Sequence, residues 1–403
     1  MPDIPKNRSP FSPDQPVSAD LFVGRMSQIN HILSRGVGQV AAGKPINIFL
    51  EGEYGIGKTS IAKFTQWVGE RDKKLLGIYA TLDRAESMDD VGYAVLEGTM
   101  RSGVYNPKLG EIIRNGLAKY IGEQSLFGIT LHADALKKEG PQITRGFLPF
   151  LQATLARVKD EGVQGIFLIL DEINGIAGNP KFAPFLKGLS DLNAKTAPGQ
   201  ATLPLLLMLV GVEDRRWEIS SHHPSVAGIF DIVHIECLSQ DETRDFYLRA
   251  FDSVKHTVAP DALDVMTHYA AGFPKIMHII GNAAYWADKD GLIDREDAFN
   301  AVMLAAEDVG RKYVDQQVYR ALRSADYHSI LEKIAKLGAD KMSFTKAEVA
   351  DDLKDSEKRK FNNFLQKMKT LKVLRSGGTH GEYIFNMRMV RLYIWLKSTT
   401  EKR

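Results

Sequence analysis

Ile46-Asn-Ile-Phe-Leu-Glu-Gly-Glu-Tyr-Gly-Ile-Gly-Lys-Thr-Ser60 is the stretch on which the fold of this chain turns. Ile46 to Leu50 is a short apolar run that reads as a buried strand, and Ser60 to Gly69 continues with helical spacing. Between them, Gly52 to Thr59 reads G-E-Y-G-I-G-K-T. A strand that passes through a glycine-rich turn into a helix aims several backbone N–H groups, and the positive end of the helix, at one point. Gly52, Gly55 and Gly57 let the backbone close on a phosphate without Cβ clashes, while Glu53, Tyr54 and Ile56 fill the turn and Ser60 continues the helix. Lys58 supplies a cation for β- and γ-phosphates, and Thr59 a hydroxyl for Mg²⁺.

Downstream, Ile166 to Leu170 is a second apolar strand that ends in Asp171-Glu172. Acids at a strand's carboxyl end face the crevice where α/β sheets bind ligands. Asp171 is the expected Mg²⁺ carboxylate, and Glu172 the group that orients and deprotonates the attacking water. Lys58, Asp171 and Glu172 thus form the catalytic set, Thr59 and Asp171 the metal set, with ATP and Mg²⁺ as cofactors. The glutamate predicts hydrolysis and not binding alone.

The rest of the chain fits an α/β core. Leu76 to Leu82, Leu203 to Val210 and Asp231 to Ile235 read as further strands, separated by helical segments such as Met88 to Met100, Leu109 to Ile121 and Gln142 to Lys159. Short apolar runs alternating with amphipathic helices imply a parallel sheet covered on both faces. Ser125 to Leu131 reads as an extra β segment within a 88–140 insert that carries no chemical signature. After Cys237 the pattern becomes helical only, with a capping box at Ser239-Gln-Asp-Glu242 and a cap at Asp294. From His328 three helices precede Val373 to Arg375, a Ser376-Gly-Gly-Thr379 turn and Tyr383 to Phe385, the order of a winged helix-turn-helix. The expected organisation is an extended arm (1–20, with five prolines), a P-loop ATPase core (21–236), a helical lid (237–310) and a winged helix-turn-helix (311–403).

Bulk properties exclude several classes. At 403 residues the chain suits two or three domains, and a net charge of +2 makes the whole molecule no general nucleic-acid magnet. A lone cysteine, Cys237, excludes an internal disulfide or a Cys-rich zinc site and fits a reducing cytoplasm; its apolar I-E-C-L setting argues against a reactive thiol. The N-terminus lacks an apolar signal-peptide segment, and the most apolar run, Leu203 to Val212, is too short to span a membrane.

With both motifs in hand, the chain resembles the AAA+/STAND superclass, and within it the bacterial and archaeal ATPases similar to origin-recognition initiators. The resemblance covers roughly residues 10–310, and the winged helix extends it to the end. Phe22-Val23-Gly24-Arg25 matches the N-terminal box that the family places near adenine, with Pro10-Phe11 and Pro16-Val17 before it. In the lid, Pro274 and Lys275 of Ala271-Gly-Phe-Pro-Lys275 occupy the sensor-2 region, so Lys275 is either a γ-phosphate contact or a solvated lysine after a helix break. Two departures stand out. The fourth strand ends Val210-Gly-Val-Glu213-Asp214 without the family's Asn or Thr, leaving Glu213 as substitute or solvated turn. Gly228 stands where the family's arginine finger is expected, with Arg215 and Arg216 as nearby alternatives or plain surface charges. An arginine finger contributes several orders of magnitude in rate, so low intrinsic turnover is expected.

Residues 328–403 hold seventeen Lys and Arg against nine Asp and Glu, a net charge of about +8 on a mildly acidic body. Lys358, Arg359, Lys360, Asn363 and Lys367 lie on the expected recognition helix, together with Asn362, Gln366 and Lys369. Arg375, Thr379 and His380 lie on the wing. Lys and Arg hold phosphates or guanine, and Asn and Gln read adenine edges, which points to duplex DNA. The alternative is a STAND-type signalling or antiphage-defence switch whose winged helix docks a protein partner. A protein partner or homo-oligomer is expected in either case, and no membrane association.

Overall fold

The structure, a computed structural model, describes residues 6, 8–15, 21–103, 106–121, 140–194 and 202–400, with the main chain alone at 117–121, 140–145 and 400. The segments expected at Pro16-Val17 and Ser125 to Leu131 lie outside these residues. The chain forms two compact units, Arg25–Glu236 and Met1–Gly24 together with Cys237–Arg403.

The first unit is built on a five-stranded sheet of β1 (Ile46–Gly52), β2 (Leu75–Thr81), β3 (Gly165–Asp171), β4 (Leu205–Gly211) and β5 (Asp231–Ile235) in the order β2-β3-β4-β1-β5. All neighbouring pairs are parallel. Every residue of β3 and β4 is buried, which is why these strands read as unbroken apolar runs. Ahead of β1, α1 (Met26–His31) passes through π-helical Ile32–Val37 into α2 (Gly38–Ala41). Then come α3 (Lys58–Lys73), α4 (Met88–Met100), α5 (Pro107–Ile121) and α6 (Gly140–Val158). Ser87 and Asp90 cap α4 reciprocally. Two helices went unread in the sequence, α7 (Phe182–Asn193) and α8 (Glu213–His222). Phe182, Phe185, Leu186 and Leu189 of α7 pack with Phe147 and Phe49 in the core of this unit.

The second unit opens with α9 (Gln240–Asp252), α10 (Pro260–Ala270), α11 (Pro274–Ala287) and α12 (Arg295–Val309). Contrary to the all-helical expectation, a short parallel pair, β6 (Thr257–Val258) and β7 (Leu292–Ile293), joins two of the loops. The arm is anchored where it is described. Phe11 is buried with its ring centroid 4.9 Å from that of Phe251 and 5.9 Å from that of Phe246. The Ser12 N–H donates to Nδ1 of His278 at 3.1 Å. Cys237 is exposed, not enclosed by its apolar neighbours.

After π-helical Gly310–Tyr319 come α13 (Ala325–Ala335), β8 (Ser343–Thr345), α14 (Lys346–Ala350), α15 (Asp355–Thr370), β9 (Leu374–Ser376) and β10 (Glu382–Phe385). β10 pairs antiparallel with both β8 and β9, so the hairpin is tied back to the strand between α13 and α14. A further helix, α16 (Arg388–Thr400), follows. From it the fully buried Arg391 donates through Nη2 to the carbonyls of Ile334 and Ala335, each at 3.1 Å, and of Gly338, and through Nε to Lys341 O at 3.2 Å. One guanidinium therefore adds a second donor to the Ile334 and Ala335 carbonyls, which already accept the Leu337 and Gly338 N–H groups in the tightened last turn.

Candidate functional site

The site lies at the carboxyl ends of β1 and β3, which flank β4 in the sheet. β1 ends in Gly52, where a Cβ would stand 2.7 Å from the Ile235 carbonyl of β5, so only glycine fits. Gly55 and Gly57 take positive φ of 78° and 96°, the left-handed region that glycine enters without penalty. Gly57 then serves as N-cap of α3, which begins at Lys58. Tyr54 is exposed at the tip of the loop, and Ile56 is buried beneath it.

Lys58 Nζ donates to the carbonyls of Gly52 at 3.0 Å and Glu53 at 2.9 Å. Burial lowers its pKa, and the carboxylates of Glu172, Asp171 and Glu53 act against that shift. Thr59 Oγ1 donates to Asp171 Oδ2 at 2.7 Å, so the loop and the end of β3 are joined directly. Asp171 is 1% exposed. Its Oδ1 accepts the Glu172 N–H at 2.8 Å. Glu172 has φ of 56°, in the left-handed region that few side-chain-bearing residues adopt. Burial raises the Glu172 pKa, and the neighbouring Asp171 charge adds to the shift, while Lys58 opposes it. The four motif residues thus converge, and their charges are coupled.

A hydroxyl and a carboxylate 2.7 Å apart are hard oxygen donors of the kind Mg²⁺ takes alongside water and phosphate oxygens. Among the described residues no group of three or more His, Cys, Asp and Glu side chains gathers as an all-protein metal site. Thr59 and Asp171 therefore fit a hard cation that takes its remaining ligands from water or phosphate oxygens.

Three side chains of this region went unread in the sequence. Tyr79 of β2 donates its hydroxyl to Asp171 Oδ2 at 2.6 Å. Asn174 Nδ2 donates to Glu172 Oε2 at 2.6 Å. Glu51, 4% exposed, accepts from Arg216 Nε at 2.7 Å and faces His234 Nδ1 at 3.4 Å. The last pair corrects the reading of Arg216 as a surface charge or finger candidate, because it neutralises a carboxylate of the core. Arg215 pairs with Glu218. Glu213 is neither strand end nor solvated turn: it opens α8 and accepts from Trp217 Nε1 at 3.2 Å and Arg216 Nη2 at 3.3 Å. Gly228 lies exposed in a 3₁₀ segment, Pro224–Ile229, with no atom within 4 Å of where a Cβ would stand.

The Phe22 to Arg25 box divides between the units. Phe22, Val23 and Gly24 belong with the helical unit, where Val23 is buried and Gly24 leaves no room for a Cβ beside Glu242. Arg25, with φ of 60°, is the N-cap position of α1 in the sheet unit. Pro274 starts α11, and Lys275 Nζ sits 5.0 Å from the ring centroid of Tyr313.

On α15, Phe361, Phe364, Leu365 and Met368 are buried, while Lys358, Arg359, Asn363, Gln366 and Lys367 are exposed. Arg375, Thr379 and His380 are exposed on the hairpin. Three members of the expected basic face are engaged within the chain: Lys360 Nζ pairs with Asp326 at 2.6 Å, Lys369 Nζ donates to Ser376 at 3.0 Å, and Arg359 Nε donates to the Asp355 carbonyl at 3.3 Å.

The fold is that of the AAA+ ATPases of the archaeal ORC/Cdc6 type. Among solved structures the chain is similar to ORC2 of Aeropyrum pernix in its ADPNP–ADP complexes, with a TM-score of 0.58 and 14% identity over 94% of each chain. It is also similar to a Walker-type ATPase of Pyrococcus abyssi, at a TM-score of 0.56 and 16% identity over 93% of this chain and 96% of that one. For Cdc6p of Pyrobaculum aerophilum the TM-score is 0.51, with 12% identity over 98% of each chain. No family model and no curated protein matches the sequence. Among the described residues no helix is long and apolar enough to cross a membrane.

Proposed function

We propose that the chain is a Mg²⁺-dependent ATPase switch that acts on duplex DNA through its basic winged helix. The observation that carries the ATPase reading is the junction of Lys58, Thr59, Asp171 and Glu172, made by the Thr59–Asp171 bond at the ends of β1 and β3. A triphosphate entering the loop replaces the Gly52 and Glu53 carbonyls as acceptors for Lys58. Partial burial of that ammonium strengthens its pull on phosphate charge. Bound Mg²⁺, held by Thr59 and Asp171, supplies charge neutralisation at the phosphate oxygens. Glu172 orients the attacking water and accepts its proton, and its raised pKa brings it closer to the pH at which it works. Phe22 to Arg25 and the Pro274-Lys275 turn are assigned to adenine and γ-phosphate contacts, by resemblance to the family.

The DNA assignment rests on the net charge of about +8 in residues 328–403 and on the exposure of Lys358, Arg359, Asn363, Lys367 and Arg375. A second reading, a slower STAND-type switch whose winged helix docks a protein, is favoured by Gly228 and by the pairing of Arg215 and Arg216 within the chain.

The test is ATP turnover with and without duplex DNA for the wild type, Glu172→Gln, and Lys358, Arg359 and Lys360 together changed to Glu. DNA-stimulated turnover, lost on charge reversal with basal activity intact, supports the DNA reading. Turnover indifferent to DNA, with no salt-sensitive binding in the presence of ATP, sinks it. No turnover above Glu172→Gln sinks the ATPase reading.

A further inference from the structure

One oxygen of Asp171 carries two hydroxyl donors. Oδ2 accepts from Thr59 Oγ1 at 2.7 Å and from Tyr79 OH at 2.6 Å, while Oδ1 accepts the Glu172 N–H. Tyr79 reaches this oxygen from β2, the edge strand beside β3, where it stands opposite Ile169, two residues before Asp171. Its ring is held from the other side by Lys63 Nζ, 4.8 Å from the ring centroid. Backbone space is tight as well, since Gly98 of α4 packs against the Tyr79 carbonyl so closely that no Cβ would fit.

The chemistry of this arrangement is directional. A hydroxyl has one proton and two lone pairs. The Thr59 proton is committed to Asp171, so its lone pairs are left for a cation. That commitment holds only while the carboxylate keeps its plane. The backbone N–H fixes one oxygen, and the Tyr79 phenol fixes the other.

We propose that Tyr79 is a positioning residue for the metal: it locks the Asp171 carboxylate so that Thr59 presents its lone pairs to Mg²⁺. The inference rests on the ATPase reading above. Outer-sphere partners of this kind typically change metal affinity by about 10–100-fold when removed.

The experiment compares wild type with Tyr79→Phe and Tyr79→His. Mn²⁺ binding is followed by electron paramagnetic resonance at saturating ADP, and ADP affinity is measured separately in EDTA. In Tyr79→Phe, Mn²⁺ affinity is expected to fall about tenfold or more, with metal-free ADP affinity unchanged. Turnover recovers as Mg²⁺ is raised, giving a higher metal requirement at an unchanged plateau. Tyr79→His keeps a ring and a donor and is expected to regain part of the affinity; it also carries the test if the Phe variant does not accumulate folded. Wild-type Mn²⁺ affinity in Tyr79→Phe overturns the proposal, as does an equal loss of metal-free ADP binding. A wild-type protein that binds neither ADP nor Mn²⁺ overturns the ATPase reading instead.

Discussion

Asn174 holds Glu172: its side-chain amide donates to Glu172 Oε2 at 2.6 Å from two residues further along the same turn. This contact favours the ionised carboxylate against the burial and the Asp171 charge that raise the Glu172 pKa. If Glu172 is the base of the proposed ATPase, its ionised form does the work, and turnover falls as pH drops through the Glu172 pKa. Asn174→Ala removes the stabilising donor, and the acid limb of the kcat–pH profile moves to higher pH. A limb that stays in place shows that Glu172 is not the titrating base.

Arg216 and Glu51 form a largely buried ion pair in the sheet unit, with side-chain exposures of 19% and 5%. Removing one partner strands the other charge, with His234 Nδ1 3.4 Å from Glu51 as the remaining neighbour. Arg216→Ala is expected to cost about 3–5 kcal/mol, read as a lower urea midpoint. A change below about 1 kcal/mol, the range of exposed pairs, would mean that the pair is not held out of solvent.

Gly228 offers the reverse experiment. Nothing stands within 4 Å of a Cβ there, so Gly228→Arg is expected to leave stability within about 0.5 kcal/mol. If that position faces a triphosphate in an assembly, the new arginine raises turnover about tenfold or more, and the gain grows with protein concentration. Unchanged turnover at all concentrations rules out that geometry.

His278 makes the helical unit sensitive to acid. It is buried, and burial pushes its pKa down to about 4, while its Nδ1 accepts the Ser12 N–H. Its unfolded value is near 6.5. Between those values the unfolded chain binds more protons, so stability is lost as pH falls from about 6.5 to about 4. The loss is on the order of 3 kcal/mol. His278→Gln should flatten that slope in urea unfolding followed across the window. Phe11→Ala should destabilise the same unit by about 3–5 kcal/mol.

The strands of the sheet were legible because burial on both faces left them nothing but apolar residues, as in Gly165 to Leu170 and Leu205 to Val210. Capping chemistry made Ser239 and Asp294 readable as helix starts in the same way. What escaped depended on neighbours distant in sequence. α8 is polar on most sides, and Glu213-Asp214 looks like a turn until Arg216 and Trp217 fold back on it. Tyr79 reads as one more strand residue; only the register of β2 on β3 brings its hydroxyl to Asp171. Arg391 reads as one basic residue of a cationic tail, and its burial depends on carbonyls at the far end of α13. The β6–β7 pair, two residues a side, is too short for any periodicity to register.

The docking of the N-terminal segment also dictates an order of assembly. Ser12 and His278 meet across 266 residues of chain, and the whole sheet unit, 25 to 236, lies within that span. Long closures lose entropy only logarithmically with length, but they are slow to find. The sheet unit is contiguous and can complete its contacts first; the helical unit must wait for both of its segments. Amide exchange during refolding should therefore protect Ile48 and Leu168 before Ile280. The chain would complete its glycine-rich loop early and the seat of Phe11 last.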